Sequence, residues 1–110
     1  MTAAGARRDA LQEALALYQA GRLAEAEARL RGIVFGEPQR GEALELLGAT
    51  LSSRGRFGEA LEWFDRARAA KPASASIRHN RARVLDLLGR PAEALDEARK
   101  AVELKPDLHP

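Results

Sequence analysis

The chain has 110 residues, enough for one modest domain, and no cysteine, which excludes disulfides, thiolate metal sites and a cysteine nucleophile. Its 18 basic and 16 acidic residues leave a net charge of +2, and the two signs interleave along the whole chain, whereas a nucleic-acid binder gathers positive charge on one face. No apolar run approaches the roughly 18 residues of a membrane span, and Asp9, Gln12 and Glu13 interrupt what would have to be the apolar core of a signal peptide. The expectation is a cytoplasmic protein that binds neither nucleic acid nor membrane.

Ala, Leu, Arg and Glu dominate, while Val, Ile, Thr and aromatic residues are scarce, so the expected class is all-α. In chain order, amphipathic periodicity predicts helices over 8–20 and 24–35, then 42–54 and 58–70, then 75–88 and 92–104. Between the members of each pair stands a near-identical string: GRLAEAE from Gly21, GRFGEAL from Gly55 and GRPAEAL from Gly89, at intervals of 34 residues. The same offset aligns Leu17, Leu51 and Leu85, then Glu25, Glu59 and Glu93, then Ala26, Ala60 and Ala94, and finally Pro38, Pro72 and Pro106. A fixed period of this size marks stacked helical repeats.

Each column has a physical role. A glycine just past an amphipathic run such as LELLGATLSSR terminates the helix in the left-handed region. Glu59 stands in the first turn of the next helix, where the macrodipole favours negative charge. Ala60 is small where two helices cross closely, and Leu61, Phe64 and Ala67 continue the apolar stripe. Pro72 ends the unit, and Pro91 stands where a helix start tolerates its missing N–H. In the first unit Ile33 replaces a small residue between Gly32 and Gly36, so that helix is expected to end early or pack irregularly. Arg81 and Glu13 stand in the column of Leu47.

The pattern resembles the tetratricopeptide repeat family over residues 7–108, most closely in the middle unit, through Leu44, Leu47-Gly48, Leu51, Gly55, Phe57, Ala60, Phe64, Ala67 and Pro72. The resemblance implies one domain over 1–110 with repeats at about 7–40, 41–74 and 75–108. It also implies an α-solenoid of three antiparallel helix pairs in a right-handed superhelix, with the first helix of each pair lining a concave groove. The implied groove columns are Arg8, Glu42 and Ser76; Leu11, Glu45 and His79; Gln12, Leu46 and Asn80; Leu15, Ala49 and Arg83; and Tyr18, Ser52 and Asp86. These columns differ in residue type although the packing columns agree, as a shared scaffold with individual binding chemistry would.

Such a surface suits an extended peptide or a partner helix, with an apolar anchor at Leu11, Leu15 and Tyr18 and a basic residue, Arg83, near the other end. Arg83 could alternatively be occupied by Glu45 or Asp86. The family's chaperone-carboxylate clamp needs Lys, Asn and Arg where this chain has Leu11, Leu15, Leu46, Ser76 and Asn80, so that subclass is rejected. The segment RHNRARVLDLLGRPAEALDEARKAVELKP also looks like repeat regions fused to glycosyltransferases and other bacterial enzymes, which leaves a fragment of a larger enzyme as the competing reading. No cofactor, metal site or catalytic group is expected. His79 and His109 are the only histidines, Ser52-Ser53 lacks a partnered base, and the Gly-Arg strings are helix-hairpin turns rather than phosphate loops. Trp63, one step around the helix from Phe64, is expected to be partly buried. No further helix is predicted to cover Leu95, Ala98 and Val102, so this face is expected to meet a partner, a second copy or more chain.

Overall fold

The computed structural model describes the backbone of residues 3–104 and the side chains of residues 10–104. Among these residues the secondary structure consists of six helices: α1 (Ala3–Gln19), α2 (Leu23–Gly36), α3 (Gly41–Ser53), α4 (Phe57–Ala70), α5 (Ala75–Leu87) and α6 (Pro91–Glu103). They form three pairs. Gly41 at the start of α3 meets Lys71 just past α4, and Gly48 meets Phe64 at mid-helix, so the two helices run antiparallel. Each helix packs chiefly on its neighbours in sequence, while α3 also touches α1 and α5. The stack measures 44 × 32 × 24 Å with a radius of gyration of 14.4 Å. A compact chain of this length would be nearer ~13 Å, so the molecule is elongated.

The recurring string is a complete helix-to-helix joint. Gly21, Gly55 and Gly89 have φ of 79°, 78° and 77°, a region that only glycine enters without strain. Each glycine donates its N–H to the residue three back, and the next arginine donates to the leucine five back. Leu17, Leu51 and Leu85 therefore recur as carbonyl acceptors of a Schellman-type cap, and Leu51 and Leu85 are buried as well. The same arginine begins the next helix. Its carbonyl accepts from Ala26, Ala60 or Ala94, and its guanidinium binds Glu25, Glu59 or Glu93. The string recurs because every pair needs this joint.

The core is centred on α3. Phe64, Leu30, Leu44, Leu47, Leu51, Ile77 and Leu85 are all buried. Size is matched across each pair. Gly48 faces the Phe64 ring so closely that an added Cβ would lie 2.8 Å from it. The corresponding positions 34 residues away hold Ala14 with Leu30 and Ala82 with Ala98. The smallest residue thus stands opposite the largest.

Two expectations need correction. The second helix does not end early: α2 runs 14 residues, as does α4. A Cβ added at Gly32 or Gly36 would touch nothing, so both lie on an open side of the helix, while Leu30 and Val34 are buried and Ile33 packs against the core. That packing offsets the roughly 0.5–1 kcal/mol that an interior helical glycine costs. α1 also begins five residues earlier than the predicted start, at Ala3, in a stretch without proline. Pro106 and His109 lie outside the described residues.

Candidate functional site

The first helix of each pair contributes to one continuous face, because hydrogen bonds link α1 to α3 and α3 to α5. The Tyr18 hydroxyl lies 3.5 Å from Ser53 Oγ. Glu45 Oε2 accepts from Ser76 Oγ and from Asn80 Nδ2, both at 3.0 Å. Glu42 accepts from Lys71 Nζ at 3.3 Å, and its own backbone N–H together with that ammonium holds its carboxyl below the usual value. The Glu42 carboxylate is therefore ionised at neutral pH and paired with the Lys71 ammonium.

The structure sorts the expected groove residues into those already engaged and those that are free. Glu45 and Asn80 are brought together and hold α3 to α5. Leu11, Tyr18, Ala49 and Ser52 are half-buried, and Leu15 is 41% exposed. His79, Arg83 and Asp86 are exposed, and among the described residues none of their side chains makes an ion pair or hydrogen bond. Neither carboxylate that could have occupied Arg83 does so, and Glu45 is taken by Ser76 and Asn80 instead. The side chain of Arg8 lies outside the described residues.

Two ion clusters at the joints between pairs were not foreseen. Glu27, only 8% exposed, accepts from Arg31 at 2.8 Å, Arg54 at 2.9 Å and Arg56 at 3.0 Å. Glu97, 2% exposed, accepts from Arg81 at 2.7 Å and Arg78 at 2.8 Å, with Arg68 at 3.5 Å. Arg81 also donates to Asp65 at 2.6 Å. Burial pushes both glutamates up, but the hydrogen bonds and charges of their arginines outweigh it and hold both carboxyls below 4.5. The signal in the sequence is a charge inversion at a spacing of 16. Glu13 binds Arg29 in the first pair, and Arg81 binds Glu97 in the third. The same two columns hold Leu47 and Trp63 in the middle pair.

Trp63 is half-buried as expected, with the Arg66 guanidinium 4.7 Å from its ring centre. On α6, Leu95 and Val102 are 54% and 65% exposed, and Ala98 is half-buried. No helix among the described residues is long and apolar enough to cross a membrane.

The family model described as tetratricopeptide repeat matches residues 11–75, and a second model of the same description matches residues 75–100. The chain belongs to the tetratricopeptide repeat family. Among curated tetratricopeptide proteins, it is 40% identical over 86 residues to the human tetratricopeptide repeat protein 36, covering 76% of this chain and 46% of that protein. It is 42% identical over 65 residues to the inactive TPR repeat-containing thioredoxin TTL3 of Arabidopsis thaliana, covering 59% of this chain and 9% of that protein. The chain thus spans less than half the length of these curated relatives. Among solved structures, an O-GlcNAc transferase of Thermobaculum terrenum superposes with a TM-score of 0.90 at 30% identity, over 99% of this chain and 21% of that one. MamA of MSR-1 superposes at 0.84 with 26% identity, over 92% of this chain and 58% of that one. The two family models together overlap each of the six helices, and the all-α helical-repeat solenoid implied by the sequence holds.

Proposed function

We propose that the chain is a protein-interaction module whose α1–α3–α5 face forms the groove for an extended peptide or a partner helix. The observation that carries this is the state of α5. Arg83, His79 and Asp86 are exposed and unpaired, although other arginines such as Arg78 and Arg81 are engaged in ion pairs. Leu15 and the half-buried Leu11 and Tyr18 offer the apolar end, and the Glu42 and Glu45 carboxylates lie between. A preformed helical surface of this kind lowers the ordering cost of binding. Affinity capture from a lysate, with bound proteins identified by mass spectrometry, tests the reading. Arg83→Ala and Tyr18→Ala are expected to keep the melting temperature and lose the captured partner. Equal capture by wild type and both variants sinks it. Glu45→Ala is a less clean variant, because Glu45 also fastens α5 to α3.

Self-association is a second reading, favoured by the exposure of Leu95 and Val102 on one face of α6. It predicts a molar mass that rises with concentration in light scattering and a monomer after Leu95→Glu. A strict monomer at high concentration rules it out. The likeness to an O-GlcNAc transferase covers only repeats, so a role as the repeat segment of a larger enzyme stands as the alternative setting for the same groove.

A further inference from the structure

The joint between the first and second pairs and the joint between the second and third occupy equivalent positions but are filled in opposite ways. At the second joint Asp65, Arg68, Arg78, Arg81 and Glu97 close into one ion cluster. Thirty-four residues earlier the same positions are Arg31, Val34, Leu44, Leu47 and Trp63. Four of these five positions are apolar and Arg31 alone is charged, so the joint stays open beside the Glu27 cluster. A cavity of about 330 Å³ lies there, near the lower end of the roughly 300–1,000 Å³ typical of ligand sites.

Val34 and Leu44 are buried and form its base, Trp63 is half-buried, and Phe35 on the rim is 90% exposed. An aromatic side chain held almost wholly in water beside an apolar hollow marks a contact surface. The charge at the mouth is positive. Arg31 and Arg66 both line the cavity and lie over Trp63, at 5.8 and 4.7 Å from the ring centre. Arg31 already serves Glu27 and Glu59. Arg66 makes no ion pair with any described residue, and the ring steadies it where an incoming carboxylate could reach it. None of the groove residues lines this cavity.

We propose that this cavity docks an acidic peptide segment of a partner protein, seating one bulky aliphatic or aromatic side chain against Phe35 and Trp63 and a carboxylate on Arg66. The proposal is independent of the groove reading. Trp63 is the only tryptophan, so its emission reports on the site directly. The probes are blocked nine-residue peptides with a central leucine, methionine or phenylalanine between glutamates, titrated to millimolar concentration.

At least one of the three is expected to shift the emission saturably. Arg66→Glu and Phe35→Ser should each weaken that binding at least tenfold while leaving thermal melting unchanged, since both side chains are exposed. Arg83→Ala should leave it unaltered, and peptides with a central serine or with lysines for glutamates should bind at least tenfold more weakly. The proposal is overturned if no peptide shifts the emission, or if the shift survives both cavity variants. It is also overturned if Arg83→Ala removes the shift, which assigns the peptide to the groove. An emission that changes on simple dilution of the protein assigns the cavity to a second copy and overturns it likewise.

Discussion

Glu97→Ala is expected to lower folding stability by about 3–5 kcal/mol, the usual cost of removing one partner from a buried ion pair. Glu97 is 2% exposed, and the arginines it answers, Arg78 and Arg81, are themselves largely buried. Removing the carboxylate leaves Arg78 without an ion-pair partner among the described residues and Arg81 with Asp65 alone. Chemical denaturation at neutral pH measures the loss, and a drop under ~1 kcal/mol, typical of an exposed pair, would contradict the account. Because the damage comes from stranded charge, Arg81→Leu added to Glu97→Ala should recover part of the loss rather than add to it. The same site makes stability depend on pH. The Glu97 and Glu27 carboxyls titrate below 4.5 in the folded chain. Their contribution is therefore complete above about that pH and disappears as pH falls through the lowered values. Glu97→Ala should flatten the wild-type decline in acid.

Phe64→Ala should cost about 3–5 kcal/mol, since it empties the largest buried side chain in the core. The more discriminating experiment uses the Gly48 contact. Gly48→Ala alone drives a methyl to 2.8 Å from the Phe64 ring, and overpacking of this kind costs typically ~1–3 kcal/mol. In the first pair the equivalent positions are Ala14 and Leu30, both fully buried. The double variant Gly48→Ala with Phe64→Leu copies that pair and should be more stable than the two single losses added together. Additive losses would show that the two side chains do not share one volume.

The joints and the packing columns were legible in the sequence because they are local and repeat. A glycine at positive φ, an arginine reaching a glutamate three residues on, and an alanine under a crossing helix each leave a mark at a fixed offset. The ion clusters were less legible. Read alone, Arg81 in the column of Leu47 looks like a weakened core position; its partner Glu97 is on another helix, 16 residues away, and the pairing shows only when the inverted pair Glu13–Arg29 is set beside it. The span 24–35 predicted for α2 agrees with Leu23–Gly36 to one residue at each end; the early end expected from Gly32 and Gly36 does not occur, because the burial of Leu30 and Val34 outweighs their low helix propensity. For the proposed groove, the repeat indicates which columns to expect but not which side chains are free. Periodicity does not show that Asn80 and Ser76 reach Glu45 first and leave Arg83 open.

The most direct test of the groove begins with selection of peptides from a displayed library on the wild-type chain. The dissociation constant of the best peptide is then measured on wild type, Arg83→Ala, Tyr18→Ala and Arg66→Glu. The account predicts at least a tenfold weaker constant for Arg83→Ala and Tyr18→Ala, with Arg66→Glu and the melting temperatures unchanged. The same affinity across wild type, Arg83→Ala and Tyr18→Ala would contradict it.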